Sequence, residues 1–191
     1  TGMAEAADID RAVAAISEAG NDQIVVLHCV SLYPTPADEV NLRRIAALRE
    51  RLRAPIGFSD HSAGITAALG AVALGACVVE KHFTLDRDMP GPDHRFSADP
   101  PELAALVHAI RELERNLGTG RLDISDHERE MAALCHRSIV AIRDIGPGEV
   151  LTAADIGFKR PGSGIMPYDV EEVLGRRVRR AVAAGSLIAF D

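Results

Sequence analysis

The sequence predicts an α/β protein built on a parallel sheet, followed by a small separate module. Three observations carry this. Short, almost continuously apolar segments alternate three times with amphipathic ones over the first 120 or so residues, the pattern of βα units. The apolar segments lack a polar face, as expected of strands buried on both sides. Near residue 120 the alternation stops, and short segments broken by Gly and Pro take over.

The elements follow in order. "MAEAADIDRAVAAISEAG" (3–20) has apolar residues at helical spacing and ends on Gly20. "QIVVLHCV" (23–30) reads as a first buried strand. "TPADEVNLRRIAALRERL" (35–52) reads as a helix with Pro36 near its start. "APIGFSD" (54–60) is a second strand, "AGITAALGAVALGA" (63–76) a small-residue helix, and "CVVEKHF" (77–83) a third strand. "DPPELAALVHAIRELERNLG" (99–118) is a helix with Pro-Pro at its N-terminus. "TGRLDISDHEREMAALCH" (119–136) reads as a polar linker running into a helix. From Arg137 onward, brief strands and single-turn helices are expected in a compact module.

Composition narrows the function classes. The 191 residues carry a net charge of −7, and 47% are hydrophobic. No basic stripe stands out to neutralise phosphates, which argues against a nucleic-acid partner. The one dense basic run, "GRRVRR" (175–180), reads as a solvated helix end. No apolar run is long enough to cross a bilayer. Cys29, Cys77 and Cys135 are widely spaced and odd in number, which reads as reduced core thiols of a cytoplasmic protein.

All three strands finish in polar groups: His28, Ser31 and Tyr33 on the first, Ser59, Asp60 and His61 on the second, Glu80, Lys81 and His82 on the third. In parallel α/β sheets ligands sit at the carboxyl ends of strands, so three such ends point to one converging site. His61 and His82 occupy equivalent positions on consecutive strands. Parallel neighbours lie about 4.8 Å apart, so both rings could reach one ion. Two imidazoles would leave most coordination positions open, which suits a Lewis-acid divalent ion better than a closed structural zinc. Hydrogen-bonded core histidines are the alternative. His28, inside its strand, is expected in the core. Asp60 is expected on the opposite face from its neighbours, in a supporting role. Glu80 shares a face with His82, and Glu80 and Lys81 could form a local ion pair. Asp93 follows in the "MPGPDHRFS" loop, either as a plain turn residue or as a site residue.

The motifs "TGMA", "LHCVSLYPTP", "GFSDHS", "EKHFTLDRDMPGPDHRFS" and "KRPGSGI" stand in the order found in the sialic acid synthases, and the chain resembles that family along nearly all its length. The resemblance implies the C-terminal part of a TIM (β/α)8 barrel over 1–120, a linker over 121–136 and an antifreeze-like (SAF) domain over 137–191. It implies condensation of phosphoenolpyruvate with an N-acetylated mannosamine-type sugar, with phosphate released. His61 and His82 match the imidazoles that hold a divalent metal, Mn2+ ahead of Mg2+. Asp93 and Tyr33 match sugar-contacting residues, and Ser31 and Ser59 match positions lining the phosphoenolpyruvate pocket. Arg160 matches an arginine extended over the neighbouring subunit's site, which implies a domain-crossed homodimer. Leu134 stands about where some relatives place an aromatic against the sugar.

Catalysis is thus expected of Asp93, Tyr33 and Glu80, substrate binding of Ser31, Tyr33, Ser59, Asp93 and Arg160, and metal ligation of His61 and His82. The resemblance further implies that the first half of the barrel, with the family's lysines for phosphoenolpyruvate, lies outside this sequence. Lys81 and Lys159 are the only lysines in it. On that reading the 191 residues alone are catalytically incompetent. The competing functions are a binding module, in which the tail holds sugar or a partner, and another metal-dependent barrel enzyme such as an aldolase. The latter leaves the tail unexplained.

Overall fold

The computed structural model describes residues 1–190. The chain divides into two compact units, Thr1–Gly120 and Arg121–Asp191.

In the first unit, β1 (Val26–Cys29), β2 (Ile56–Asp60) and β3 (Val79–Lys81) form a three-stranded sheet in the order β1-β2-β3, parallel throughout. The register pairs Cys29 with Ser59, Ser59 with Glu80 and Asp60 with Lys81. Every residue of the central β2 is buried, which accounts for its lack of a polar face. Gly57 sits where a Cβ would come within 2.7 Å of Val78 O and 2.4 Å of a Leu27 methyl, so only glycine lets β2 fit between its neighbours.

Helices α1 (Ala6–Glu18), α2 (Arg43–Arg51), α3 (Thr66–Ala73) and α4 (Pro100–Leu117) complete the unit. Ile45 and Leu48 of α2 and Ala71 of α3 close a core over Ile56 and Phe58, joined by Val40 and Ala76. Helix α4 starts where its sequence asks: the Asp99 side chain accepts from Glu102 N, with Pro at the first helical positions. The helix expected from Thr35 begins only at Arg43. Asn41 takes a positive φ of 48°, and a left-handed residue cannot sit inside a right-handed helix. Residues 34–42 therefore run as turns and irregular backbone instead of helix.

The second unit begins with α5 (Asp126–Cys135), opened by a capping box between Ser125 and Glu128. Strands β4 (Ser138–Ala141) and β5 (Ile156–Lys159) pair antiparallel. A four-residue helix, α6 (Val170–Val173), follows. Ile139, Ala141, Ile145, Leu151, Ile156, Val173 and Ile188 form its core. The buried Asp155 accepts from Thr152 N and Oγ1 and pairs with Arg143, which also reaches Glu149. The Thr152 hydroxyl and then the Arg143 guanidinium hold the Asp155 carboxyl below its usual range.

Two sequence expectations are corrected here. The basic run is not a helix end: α6 stops at Val173, Gly175 turns with φ 79°, and the chain then bridges Val150 through Arg177 and bends at Arg179 and Arg180. Arg176 lies over the Phe190 ring at 4.7 Å. Nor are all the cysteines core residues. All three are free, but Cys77 and Cys135 are exposed and Cys29 is half-buried. Cys77 occupies the turn before β3, and Cys135 the last turn of α5. Among the described residues, no helix is long and apolar enough to cross a membrane.

Candidate active site at the strand ends

Pleating assigns the polar groups to two faces. Ser59 and Glu80 are registered partners on one face, and Ser59 Oγ donates to Glu80 Oε1 at 2.6 Å. His61 and His82 follow on that side with ring centroids 5.2 Å apart. Cys29 Sγ lies 3.8 Å from His61 Nδ1 and 4.0 Å from Ser31 Oγ, which places Ser31 beside the same group. A Cβ on Gly2 would fall 2.1 Å from Ser31 Oγ, so glycine there lets the first residues run close along the end of β1.

Tyr33 covers the histidines. Its ring is 4.2 Å from His61, 5.7 Å from His82 and 5.5 Å from Phe96. Phe96 in turn is 5.2 Å from His82. The Phe96 wall is absent from the sequence reading. Its only signal was an aromatic in "HRFS", three residues past Asp93 and on the single helical turn His94–Phe96.

The loop that carries Asp93 is anchored at both ends. Thr84 N donates to Ala98 O, and Ala98 N donates to His82 O at 2.8 Å. Thr84 Oγ1 and His94 Nδ1 are bonded at 2.8 Å, and Ser97 Oγ donates to Asp93 O. The loop thereby returns to the end of β3. Asp93 Oδ2 comes to 3.9 Å from His82 Nδ1, with 58% of its side chain exposed and open to a ligand.

The opposite face is buried. Lys81 pairs with Asp60 across the sheet, not with Glu80, because successive residues of a strand point to opposite sides. His28 is fully buried, stacks on Phe58 at 5.6 Å, and donates from Nε2 to Val40 O at 2.8 Å. Its Nδ1 has no hydrogen-bond partner. Burial pushes its pKa below the ordinary 6.5, so the ring is held neutral.

The donor chemistry fits an open metal site. His61 Nδ1 is 2.9 Å from Val30 O; a carbonyl only accepts, so Nδ1 carries the proton and Nε2 keeps its lone pair. No group of three or more His, Cys, Asp or Glu residues arranged to hold a metal occurs among the described residues. An ion here would rest on the two imidazoles and take its other positions from water or substrate oxygens.

Of the expected site residues, the first unit brings together Ser31, Tyr33, Ser59, His61, Glu80, His82 and Asp93 at one end of the sheet. Arg160 is exposed and lies in the second unit, one residue beyond β5. Leu134 is exposed on α5.

Comparison with known proteins places both parts of the chain in known families. Residues 1–122 match the NeuB family and residues 136–191 match the SAF domain. The chain is 41% identical over 171 residues to the N,N'-diacetyllegionaminic acid synthase of Legionella pneumophila, covering 90% of this chain and 48% of that protein. It is 35% identical over 188 residues to a pseudaminic acid synthase of Campylobacter jejuni, covering 98% of this chain and 54% of that protein. Among solved structures, the N-acetylneuraminic acid synthetase of Leptospira borgpetersenii, in complex with citrate, superposes with a TM-score of 0.63 at 42% identity. That match covers 68% of this chain and 45% of that one. The chain spans about half the length of the curated relatives it matches.

Proposed function

This chain belongs to the NeuB family, with a SAF domain following, and on that premise we propose that it forms part of a nonulosonic acid synthase. The reaction joins phosphoenolpyruvate to an N-acetylated mannosamine-type sugar and releases phosphate. The observation that supports this most is the gathering of His61, His82, Tyr33, Asp93, Ser59 and Glu80 at the carboxyl ends of parallel strands. The names of the relatives point to the same chemistry but differ in the sugar, so the sugar is left at the class they share. The three βα units are read as part of a TIM barrel.

His61 and His82 would hold a divalent ion, Mn2+ first and Mg2+ second. When bound, it supplies a Lewis acid that polarises the sugar's aldehyde oxygen. The chain's own groups do the rest. The carbonyl of Val30 fixes the His61 tautomer so that Nε2 faces the site. Tyr33 and Phe96 pack against the imidazoles and hold the rings in place. Asp93, beside His82 and open to solvent, accepts from a sugar hydroxyl. The Ser31 and Ser59 hydroxyls donate to phosphoenolpyruvate. Carbon 3 of phosphoenolpyruvate attacks the aldehyde carbon, water adds at carbon 2, and phosphate leaves by C–O cleavage. Glu80, held by Ser59 Oγ at one oxygen, would use its other oxygen to take the proton of that water, and a proton is returned to the alkoxide left by the aldehyde. Lys81 is committed to Asp60, so cations for the phosphate and carboxylate come from outside this strand-end group. Arg160 is read as reaching the N-acetyl group of a neighbouring subunit's sugar in a homodimer.

The test is to supply the full-length protein with phosphoenolpyruvate, Mn2+ and a panel of N-acetylated hexosamines, and to follow phosphate. Release is expected only when an acceptor sugar is present, and a chelator should stop it. Folded protein that releases no phosphate with any sugar would overturn the proposal.

A further inference from the structure

Directly beneath the imidazole face lies a buried ionic cluster that the proposed chemistry does not use. The Lys81 and Asp60 side chains are 3% and 0% exposed, and Nζ donates to Asp60 Oδ2 at 3.0 Å. Nζ also donates to Ser62 O at 2.8 Å. Asp60 Oδ1 accepts from Ser62 N at 2.8 Å and from Ser62 Oγ at 2.6 Å. Asp60 and Lys81 are registered partners of β2 and β3, and each directly precedes one of the histidines. Asp60 and Ser62 bracket His61 from both sides. The His61 carbonyl accepts from Thr35 N at 2.9 Å, so the same turn anchors the loop that carries Tyr33.

We infer that the Asp60–Lys81–Ser62 cluster is a clamp that sets the separation and orientation of His61 and His82, and that Lys81 is a positioning residue rather than an anion ligand. The inference rests on the proposed metal pair for its consequence, and on the cluster itself for its geometry. A buried network whose members are all bonded is rigid. Removing one member of a buried ion pair strands the other charge, and the local backbone shifts to reach water or a new partner. Here the backbone that would shift is that of residues 60–62 and 81, which carries both imidazoles. Lys81 is also the only lysine before residue 159. Its ammonium points away from the site face and is sealed from solvent, so it has no path to a substrate carboxylate or phosphate.

The experiment measures Mn2+ affinity of the full-length protein by electron paramagnetic resonance of the free ion. Lys81→Met is expected to weaken binding about 10- to 100-fold, the range seen when partners of metal-ligating histidines are removed. Lys81→Arg, which keeps the charge and its donors, should recover most of the loss. Ser62→Ala should shift affinity in the same direction by less, and it decides the matter if Lys81→Met does not fold. Ile45→Val, in the core away from the cluster, should lower stability without changing Mn2+ affinity. Two results overturn the clamp: folded Lys81→Met binding Mn2+ within about twofold of the parent, or a rise in the KM for phosphoenolpyruvate with unchanged Mn2+ affinity. If His61→Ala and His82→Ala bind Mn2+ as the parent does, the metal reading fails instead. The clamp is then judged in metal-free protein by the nuclear Overhauser contact between the Tyr33 and His61 rings. Its loss in Lys81→Met supports the clamp, and its persistence overturns it.

Discussion

Tyr33 carries two roles in the proposed site that a substitution can separate. Its ring packs on His61 at 4.2 Å, and half of the residue stays exposed toward the open side. Tyr33→Phe keeps the packing and removes only the hydroxyl. A lost hydrogen bond of about 1 kcal/mol predicts a roughly fivefold fall in kcat/KM for the sugar, with Mn2+ affinity unchanged. Tyr33→Ala removes the ring as well and should lower Mn2+ affinity too. Steady-state kinetics beside a metal titration checks both, and equal effects of the two variants on Mn2+ binding would contradict the packing role. At this scale the sequence was informative where alternation decides and silent where register does. The shared face of Glu80 and His82 followed from counting by two. The partner of Lys81 did not, because it depends on which residue of β2 lies opposite, and that is fixed only once the sheet forms. Phe96 was hidden for a related reason. A lone aromatic in a loop has no periodicity to give it a direction, and the turn that aims it depends on bonds from Thr84 and Ser97.

The element that shapes the open side of the site is the connection from β1 to α2. It carries Ser31 and Tyr33, and it is tied down from below by His28, whose Nε2 donates to Val40 O. Burial holds the His28 ring neutral in the fold, whereas the unfolded chain takes up a proton below about 6.5. The unfolded state thus binds more protons there, and stability falls as pH drops. The contribution is complete above about pH 6.5 and is lost between that value and the lower folded pKa. Denaturant titrations from pH 7.5 to 5 should show the first unit losing stability across this window. His28→Leu, although weaker overall for want of the Val40 bond, should show a flatter slope. An unchanged slope would place the titrating group elsewhere. This connection also departs from its helical spacing, which is present from Thr35 onward, because the left-handed Asn41 delays α2 to Arg43. Helix α4 was legible to its first turn, because its Asp-Pro-Pro start is a local signal that tertiary structure did not override.

At the scale of the whole molecule, the alternation of apolar and amphipathic segments was enough to give three parallel strands and the break near residue 120. The small unit was harder to read. Its strands have four residues each, and it is held by isolated bridges such as Ile145 to Val182 and by the Arg143–Asp155–Glu149 cluster, none of which leaves a period in the sequence. The gathering of the candidate site residues, by contrast, was readable because parallel strands deliver their polar ends to one side, and each strand here ends in polar groups that no core would accept unpaired. The central claim is that His61 and His82 form one metal-dependent centre for condensing phosphoenolpyruvate with an amino sugar. The measurement that tests it most directly is Mn2+-dependent phosphate release by the full-length protein and by its His61→Ala/His82→Ala variant, each titrated with Mn2+ and matched for folding. The account predicts that the parent turns over with saturable Mn2+ dependence, and that the double variant loses both Mn2+ binding and nearly all release. A double variant that binds Mn2+ and releases phosphate like the parent would contradict it.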